Sequence, residues 1–378
     1  MFLTVIIFLI ILSVLVLIHE AGHFIVAKLL KIKVEEFGFG LPPRAFGIKY
    51  GETLYSINWL PIGGFVKLYG EDSAGGGSVK VSDIKSSAKE QRTKTKDPNI
   101  DRAFYARPIW QRALVVVAGV FMNFALAVVI LSVLFSVIGV AVGGDKVVVT
   151  SVINNAPAKQ AGLRVGDTIE YINGIKITSP NQLVEITKQH LGEKLVLKVQ
   201  TKNNKQKTLE ITPRQKYPSD QGPMGVAISQ NIINVKYPWY KAPFVGTQEA
   251  LKQSYAIVSG LGSLVVNLFS KGSVPQGVAG PVGIAQLTGI FCADIGSCLS
   301  FTGLLSLNLA ILNILPIPAL DGGRFLFILI EAVTRKKVNQ KVESYVHAIG
   351  MVFLLTLIAL ITLHDLIRVF TGQPILPK

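Results

Sequence analysis

The segment His19-Glu20-Ala21-Gly22-His23 constrains this chain more than any other, because of where it lies. It closes a predominantly apolar run from Met1 to Ile18, and the apolar pattern resumes at Phe24. An ionisable side chain inside a hydrophobic span is expensive and needs a partner; here three stand within one helical turn. On a helix, His19 and His23 share a face, one turn apart. That spacing suits two imidazole ligands of one zinc ion and leaves Glu20 between them free to act as a base on water. The competing reading of the same residues is a polar helix end that caps a membrane anchor.

Composition narrows the class. Half of the 378 residues are hydrophobic and only 16% are charged, with a mean hydropathy of +0.47. This points to a membrane protein with polar inserts rather than a pair of soluble domains. The net charge of +15 would suit nucleic-acid binding or basic loops facing the cytoplasm. The charges cluster beside apolar spans, so we expect the loops, a lipid bilayer as partner and no nucleic acid. The two cysteines rule out a disulfide framework or a Cys-rich zinc module. Cys292 and Cys298 fall on the expected outer side, where a disulfide and two buried thiols are both open. The start, Met-Phe-Leu-Thr, lacks a basic region and a small-residue cleavage site, so the first span is expected to be retained.

The expected order is a first transmembrane helix over 1–30, a cytoplasmic β-loop and flexible loop over 31–112, and a second transmembrane helix over 113–140. A soluble domain follows over 141–215, then an outer linker with an amphipathic or re-entrant segment over 216–300. A third transmembrane segment over 301–333 and a fourth helix with its tail over 345–370 complete the chain. From Lys31 to Arg112 there are fourteen Lys or Arg against nine Asp or Glu, which places this segment in the cytoplasm and the N-terminus outside. His19 then lies roughly 26 Å from the outer end, near the cytoplasmic edge of the hydrocarbon.

Within the cytoplasmic part, Thr53 to Leu60 reads as a strand, Pro61-Ile-Gly-Gly64 as a turn and Phe65 to Tyr69 as a second strand. It is either a surface hairpin or a membrane-dipping sheet. In the second case Thr53, Leu54, Tyr55, Ser56, Ile57 and Asn58 would offer an edge to an extended substrate. Ser73 to Lys96 reads as a flexible loop without chemistry. Asn123 is a polar residue inside the second span, placed to pack on another helix or on the span that carries His19.

The third span is interrupted. Asn308, Asn313, Pro316, Pro318 and Leu320-Asp321-Gly-Gly-Arg324 lie within it, and non-helical backbone at membrane depth must be buried or line a cavity. Asp321 precedes the basic turn at Arg335 as His23 precedes Lys28, so both are read near the cytoplasmic edge, at similar depth. An intramembrane Asp at the depth of an intramembrane His pair is a natural third ligand. Asn308 and Asn313 are equally read as helix packing or as hydrogen-bond partners for a substrate. Asp365 and Arg368 are expected at a solvated outer rim.

Two resemblances follow from these residues. Pro157-Ala-x-x-Ala-Gly-Leu163 with Gly166-Asp-x-Ile-x-x-Ile-Asn-Gly174 resembles a bacterial protease-type PDZ domain. Such a domain either binds extended chains by strand addition or shields access sterically. The whole chain resembles the site-2 protease family of intramembrane zinc metalloproteases, in particular the bacterial regulator-of-sigma-E protease group with a single PDZ domain. The residues that carry this are His19-Glu-Ala-Gly-His23, Gly38-Phe-Gly40, Pro61-Ile-Gly-Gly64, Gly70-Glu-Asp72, Arg112, Gly280-Pro-Val-Gly-Ile284 and Asn313-x-x-Pro-x-Pro followed by Leu-Asp-Gly-Gly. In the second span, Ala118-Gly-Val120-Phe-Met-Asn123 has valine where the family usually has proline, which predicts a straighter helix.

The expected fold is therefore an α-helical polytopic membrane protein of about four transmembrane helices. It carries a cytoplasmic membrane-dipping β-hairpin or sheet and an extracytoplasmic α+β PDZ domain, in the inner membrane. The resemblance implies cleavage of single-span membrane proteins, such as anti-sigma factors, after another protease has removed their outer domain. Zn2+ would be held by His19, His23 and Asp321, with Glu20 as general base. A non-proteolytic zinc-binding scaffold that uses its PDZ domain has no need of Glu20. A zinc transporter needs a relay of sites, and only one cluster is visible.

Overall fold

The computed structural model describes residues 2–71, 99–218, 221–271 and 279–371; the loop expected over Ser73 to Lys96 lies outside them. The chain divides into two compact units, 1–136 with 238–378, and 137–237.

The first unit is helical apart from one sheet. Helix α1 (Phe2–Leu29) holds the His-Glu-x-x-His segment, and α2 (Ile109–Val133) packs against it. Among the described residues, Leu3–Leu29, Ile109–Ile138, Ile295–Ile314 and Lys341–Arg368 are long and apolar enough to cross a membrane. With valine at 120, α2 runs unbroken. The sheet consists of β1 (Val34–Tyr50) and β2 (Thr53–Leu68), each bent in the middle, at Pro42-Pro43 and at Pro61 to Gly64. The bends double the pairing. Residues 54–57 pair with 36–39 on one side and with 46–49 on the other, while 64–68 pair only with 34–39. The segment Thr53–Asn58 is thus an inner strand, contrary to the free edge expected for it. A chain that doubles back at both bends lays a strand on each flank of 54–57, and the two edges of the sheet fall to 46–49 and to 64–68, the second of which meets Glu20 of α1. Ala27, Ile32, Val34, Val66, Leu68 and Val115 form the buried cluster that joins this sheet to α1 and α2.

In the second unit, the sheet order is β7 (Gln206–Ile211), β6 (Leu195–Gln200), β4 (Thr168–Ile172), β3 (Val140–Val152), β8 (Val226–Val235). Short β5 (Ile175–Lys176) pairs with β4. The one-turn helix α3 (Pro157–Gln160) and α4 (Pro180–Gln189) complete the unit. Strand β6 alternates: Leu195, Leu197 and Val199 are fully buried while Val196 and Lys198 face out. The buried three join Val147, Ile169, Ile172 and Leu183 in one core. The expected boundary near residue 215 moves outward. β8 lies beyond it and pairs along most of β3, so ending the unit at 215 would strip a strand from its edge. Its alternation is weak, with Ile232 and Ile233 both exposed.

The segment expected as a linker contains α5 (Ala242–Lys271), a single 30-residue helix, followed by α6 (Pro281–Phe291). Cys292 and Cys298 are joined by a disulfide. The expected third span is two helices, α7 (Ile295–Ile314) and the shorter α8 (Asp321–Thr334), divided at the prolines. Helix α9 (Gln340–Phe370) closes the chain. Asp365 is buried rather than solvated: its carboxylate accepts the Gly283 N–H at 2.8 Å, one of the donors that the first turn of α6 leaves open.

Candidate active site

The site forms where α1, α2 and α8 meet. Helix α1 crosses α2 at two glycines. A Cβ on Gly22 would strike the Ala118 carbonyl, and a Cβ on Gly119 would strike both histidine rings. Small residues at a crossing let helices in a membrane approach closely, and here the room gained is filled by imidazoles. His23 Nδ1–H donates to the Val115 carbonyl at 2.7 Å, which leaves Nε2 with its lone pair outward. The Asn123 amide lies 3.3 Å from His19 Nδ1, and Asn123 Oδ1 has no other partner among the described residues. With Oδ1 turned to the ring N–H, both groups are satisfied and His19 Nε2 is also left as a lone-pair donor.

Asp321 arrives from 302 residues away. Leu315, held extended before Pro316, ends α7, and the chain folds back to start α8 at Asp321. That return is possible because Gly322 has no side chain: a Cβ there would meet the Ile314 and Leu315 carbonyls. From α9, His347 Nδ1 accepts the Ala319 N–H at 3.0 Å and supports the turn. As the first residue of α8, the Asp321 carboxylate sits at the positive end of the helix, where an anion is favoured.

Three donor atoms converge. Asp321 Oδ2 is 2.9 Å from His19 Nε2 and 3.1 Å from His23 Nε2, and the two Nε2 atoms are 3.2 Å apart. A tetrahedral zinc with ligands at 2.0–2.1 Å needs donor separations of about 3.3 Å, so two imidazoles and a carboxylate at these spacings fit that ion. Both histidines are buried, and with Asp321 they are the group of side chains among the described residues that could hold a metal ion. Glu20 Oε2 accepts the Val66 N–H at 3.1 Å from the 64–68 edge of the sheet.

The other expected site residues divide. The Asn313 amide lies 3.3 Å from His19 Nε2, at the rim of the cluster. Asn308 is half-buried on α7 and faces none of the three donors within hydrogen-bond reach. Thr53 Oγ1 donates to the Val34 carbonyl at 2.9 Å and Asn58 Nδ2 to the Gly40 carbonyl at 3.0 Å, while Ser56 is buried. Tyr55 packs on Phe24 and Phe37. Leu54 is half-buried and Ile57 is exposed. These residues hold the sheet together. Gly119 and Asn123 were legible as parts of Ala118-Gly-Val120-Phe-Met-Asn123, and Asn123 also as a polar residue in an apolar span, but neither signal told of a place beside the histidines.

The profile of Peptidase family M50 matches residues 7–357. The chain belongs to this family. The zinc metalloprotease RasP of Bacillus licheniformis is 32% identical to this M50 peptidase, over 97% of this chain and 99% of that protein. The regulator of sigma-W protease RasP of Bacillus subtilis is 30% identical over 97% and 99%. A putative zinc metalloprotease of Clostridium acetobutylicum is 33% identical over 94% and 95%. Among solved structures, the PDZ domain of the SdrC-like protein of Listeria innocua is 26% identical and covers 23% of this chain and 97% of that one; its TM-score of 0.20 carries no argument.

Proposed function

We propose that this M50 peptidase is an intramembrane zinc metalloprotease that cuts peptide bonds within the membrane segments of single-span proteins, anti-sigma factors among them, pre-cleaved outside by another protease. The observation that carries this is the convergence of His19 Nε2, His23 Nε2 and Asp321 Oδ2 within 4.8 Å of one another, from two apolar helices and beside Glu20. We assign the three as zinc ligands and Glu20 as general base. The relatives named as zinc metalloproteases support the metal, and the one named a regulator of sigma-W supports the substrate class.

When bound, zinc acidifies water and polarises a scissile carbonyl. Val115 and Asn123 hold the two rings in the tautomer that presents Nε2. Glu20 takes the proton from the attacking water and returns it to the leaving amine. The sheet edge at 64–68 is where an unwound substrate adds as a strand, since its N–H groups at Val66 and Leu68 are given to carboxylates, of Glu20 and Glu71. Asn313 at the cluster rim is placed to hydrogen-bond the same segment. The unit over 137–237 acts as an extracytoplasmic PDZ domain that selects or excludes substrates, with the N-terminus outside and the site near the cytoplasmic face of the inner membrane.

Purified protein and a single-span substrate, with and without a chelator, test the activity. Glu20→Gln should keep zinc and lose cleavage; Asp321→Ala should lose both. Cleavage at the wild-type rate by Glu20→Gln, or full zinc content in Asp321→Ala, overturns the assignment.

A further inference from the structure

We propose that Glu71 and Arg324 are positioning residues for the metal centre, joining the helix that bears Asp321 to the strand edge that holds Glu20. The proposal rests on the ligand set assigned above.

Helix α8 presents one stripe at i, i+3, i+7 and i+10: Asp321, Arg324, Ile328 and Glu331. Ile328 and Glu331 are buried. The stripe is keyed by charge at two heights. Arg324, one turn beyond Asp321, pairs with Glu71; Glu331 pairs with Arg112 at the start of α2, at 2.7 Å. Glu71 does more than balance a charge, because its Oε2 accepts the Leu68 N–H at 3.2 Å. Two residues earlier on the same edge, Val66 donates to Glu20. A single strand edge therefore registers the base from α1 and, through Glu71 and Arg324, the ligand from α8.

Such a restraint matters because Asp321 is the first residue of its helix, and Leu320 supplies no side-chain cap. An atom ~5–6 Å from the helix axis moves by about 1 Å when the helix turns by about 10°. Metal–ligand distances tolerate about 0.2 Å. The pair at Arg324 lies one turn away on the same face, so it fixes the rotation that sets where the carboxylate falls.

The test is zinc affinity of the full chain in detergent, by competition with a chromogenic chelator, alongside thermal unfolding. Glu71→Gln and Arg324→Met should each weaken zinc binding about ten- to hundredfold, as loss of groups behind metal ligands does. Arg324→Lys, which keeps the charge toward Glu71, should recover most of the affinity. The double change Glu71→Gln with Arg324→Met leaves no buried charge unpaired, keeps an acceptor for the Leu68 N–H, and should restore thermal stability without restoring zinc affinity. Wild-type zinc affinity in folded Glu71→Gln and in the double variant would show that the pair only supports the fold, and would overturn the proposal. Asp321→Ala run in parallel separates the two ideas: retained zinc there sinks the ligand set, whereas lost zinc there with wild-type affinity in Glu71→Gln sinks only the positioning role.

Discussion

Replacing Gly119 by alanine tests whether the crossing of α1 and α2 is built around the imidazoles. An added Cβ would lie 2.7 Å from His23 Cε1 and 2.8 Å from His19 Cε1, against an optimum of about 3.5–4.0 Å between carbons. Rings or helices must therefore shift by roughly 0.8 Å, several times the ~0.2 Å that metal ligation tolerates. Overpacking costs about 1–3 kcal/mol, but alanine also recovers about 1 kcal/mol of helix propensity over glycine. Global stability should fall by no more than about 2 kcal/mol, while the site is lost. A displacement of this size is enough to lower the cleavage rate by about a hundredfold. Metal analysis should find little zinc at chelator concentrations that leave the wild type loaded. Gly303→Ala is the matched control, since on α7 its Cβ meets Ile130 Cγ2 at an ordinary 3.5 Å; it should keep zinc and rate. A Gly119→Ala protein with full zinc and a rate within threefold of wild type would refute the reasoning.

Three further outcomes are expected. Val66→Pro removes the N–H given to Glu20 from an open edge, where proline is tolerated; cleavage should fall at least tenfold with zinc content unchanged, and an unchanged rate in a cleavage assay would discount the edge. Replacing residues 137–237 by a short Gly/Ser linker should change which substrates are cut while a short single-span substrate is still cleaved, as read by product mass; a cut at 142–214 would instead leave β8 without its partner strand. Hydrogen bonding from Arg102, with Lys28 adding to it, draws the Glu52 carboxyl down to about 2 against the opposing effect of burial. A depressed carboxylate stabilises the fold fully above its unfolded value near 4.5 and loses that contribution as pH falls toward about 2, so thermal unfolding of Glu52→Gln should be flatter than wild type across that window, by a modest amount because the pair is partly exposed.

The class of the chain and the residue types that meet at the candidate site were legible from local pattern. A His-x-x-x-His pair in an apolar run puts two imidazoles on one helix face by period alone, and an Asp in another apolar span was expected to join them, because charge inside a bilayer must be answered by charge or metal; the structure brings the three side chains together. Prolines at 316 and 318 likewise had to break a helix whatever surrounded them. Relations between segments, which no local period encodes, became visible only in the folded chain. Whether Thr53–Asn58 lies inside the sheet or at an edge depends on how each bent strand doubles back, and that puts 46–49 and 64–68 at the two edges. β8 was missed because edge strands with weak alternation leave a weak signal, and its membership is set by pairing with β3 some 80 residues earlier. Asp365 looked solvated because its sequence neighbours are a helix end; its partner, the Gly283 N–H, is 82 residues away. Local pattern fixes what each segment can be, and long-range hydrogen bonding and close packing fix which neighbour satisfies it.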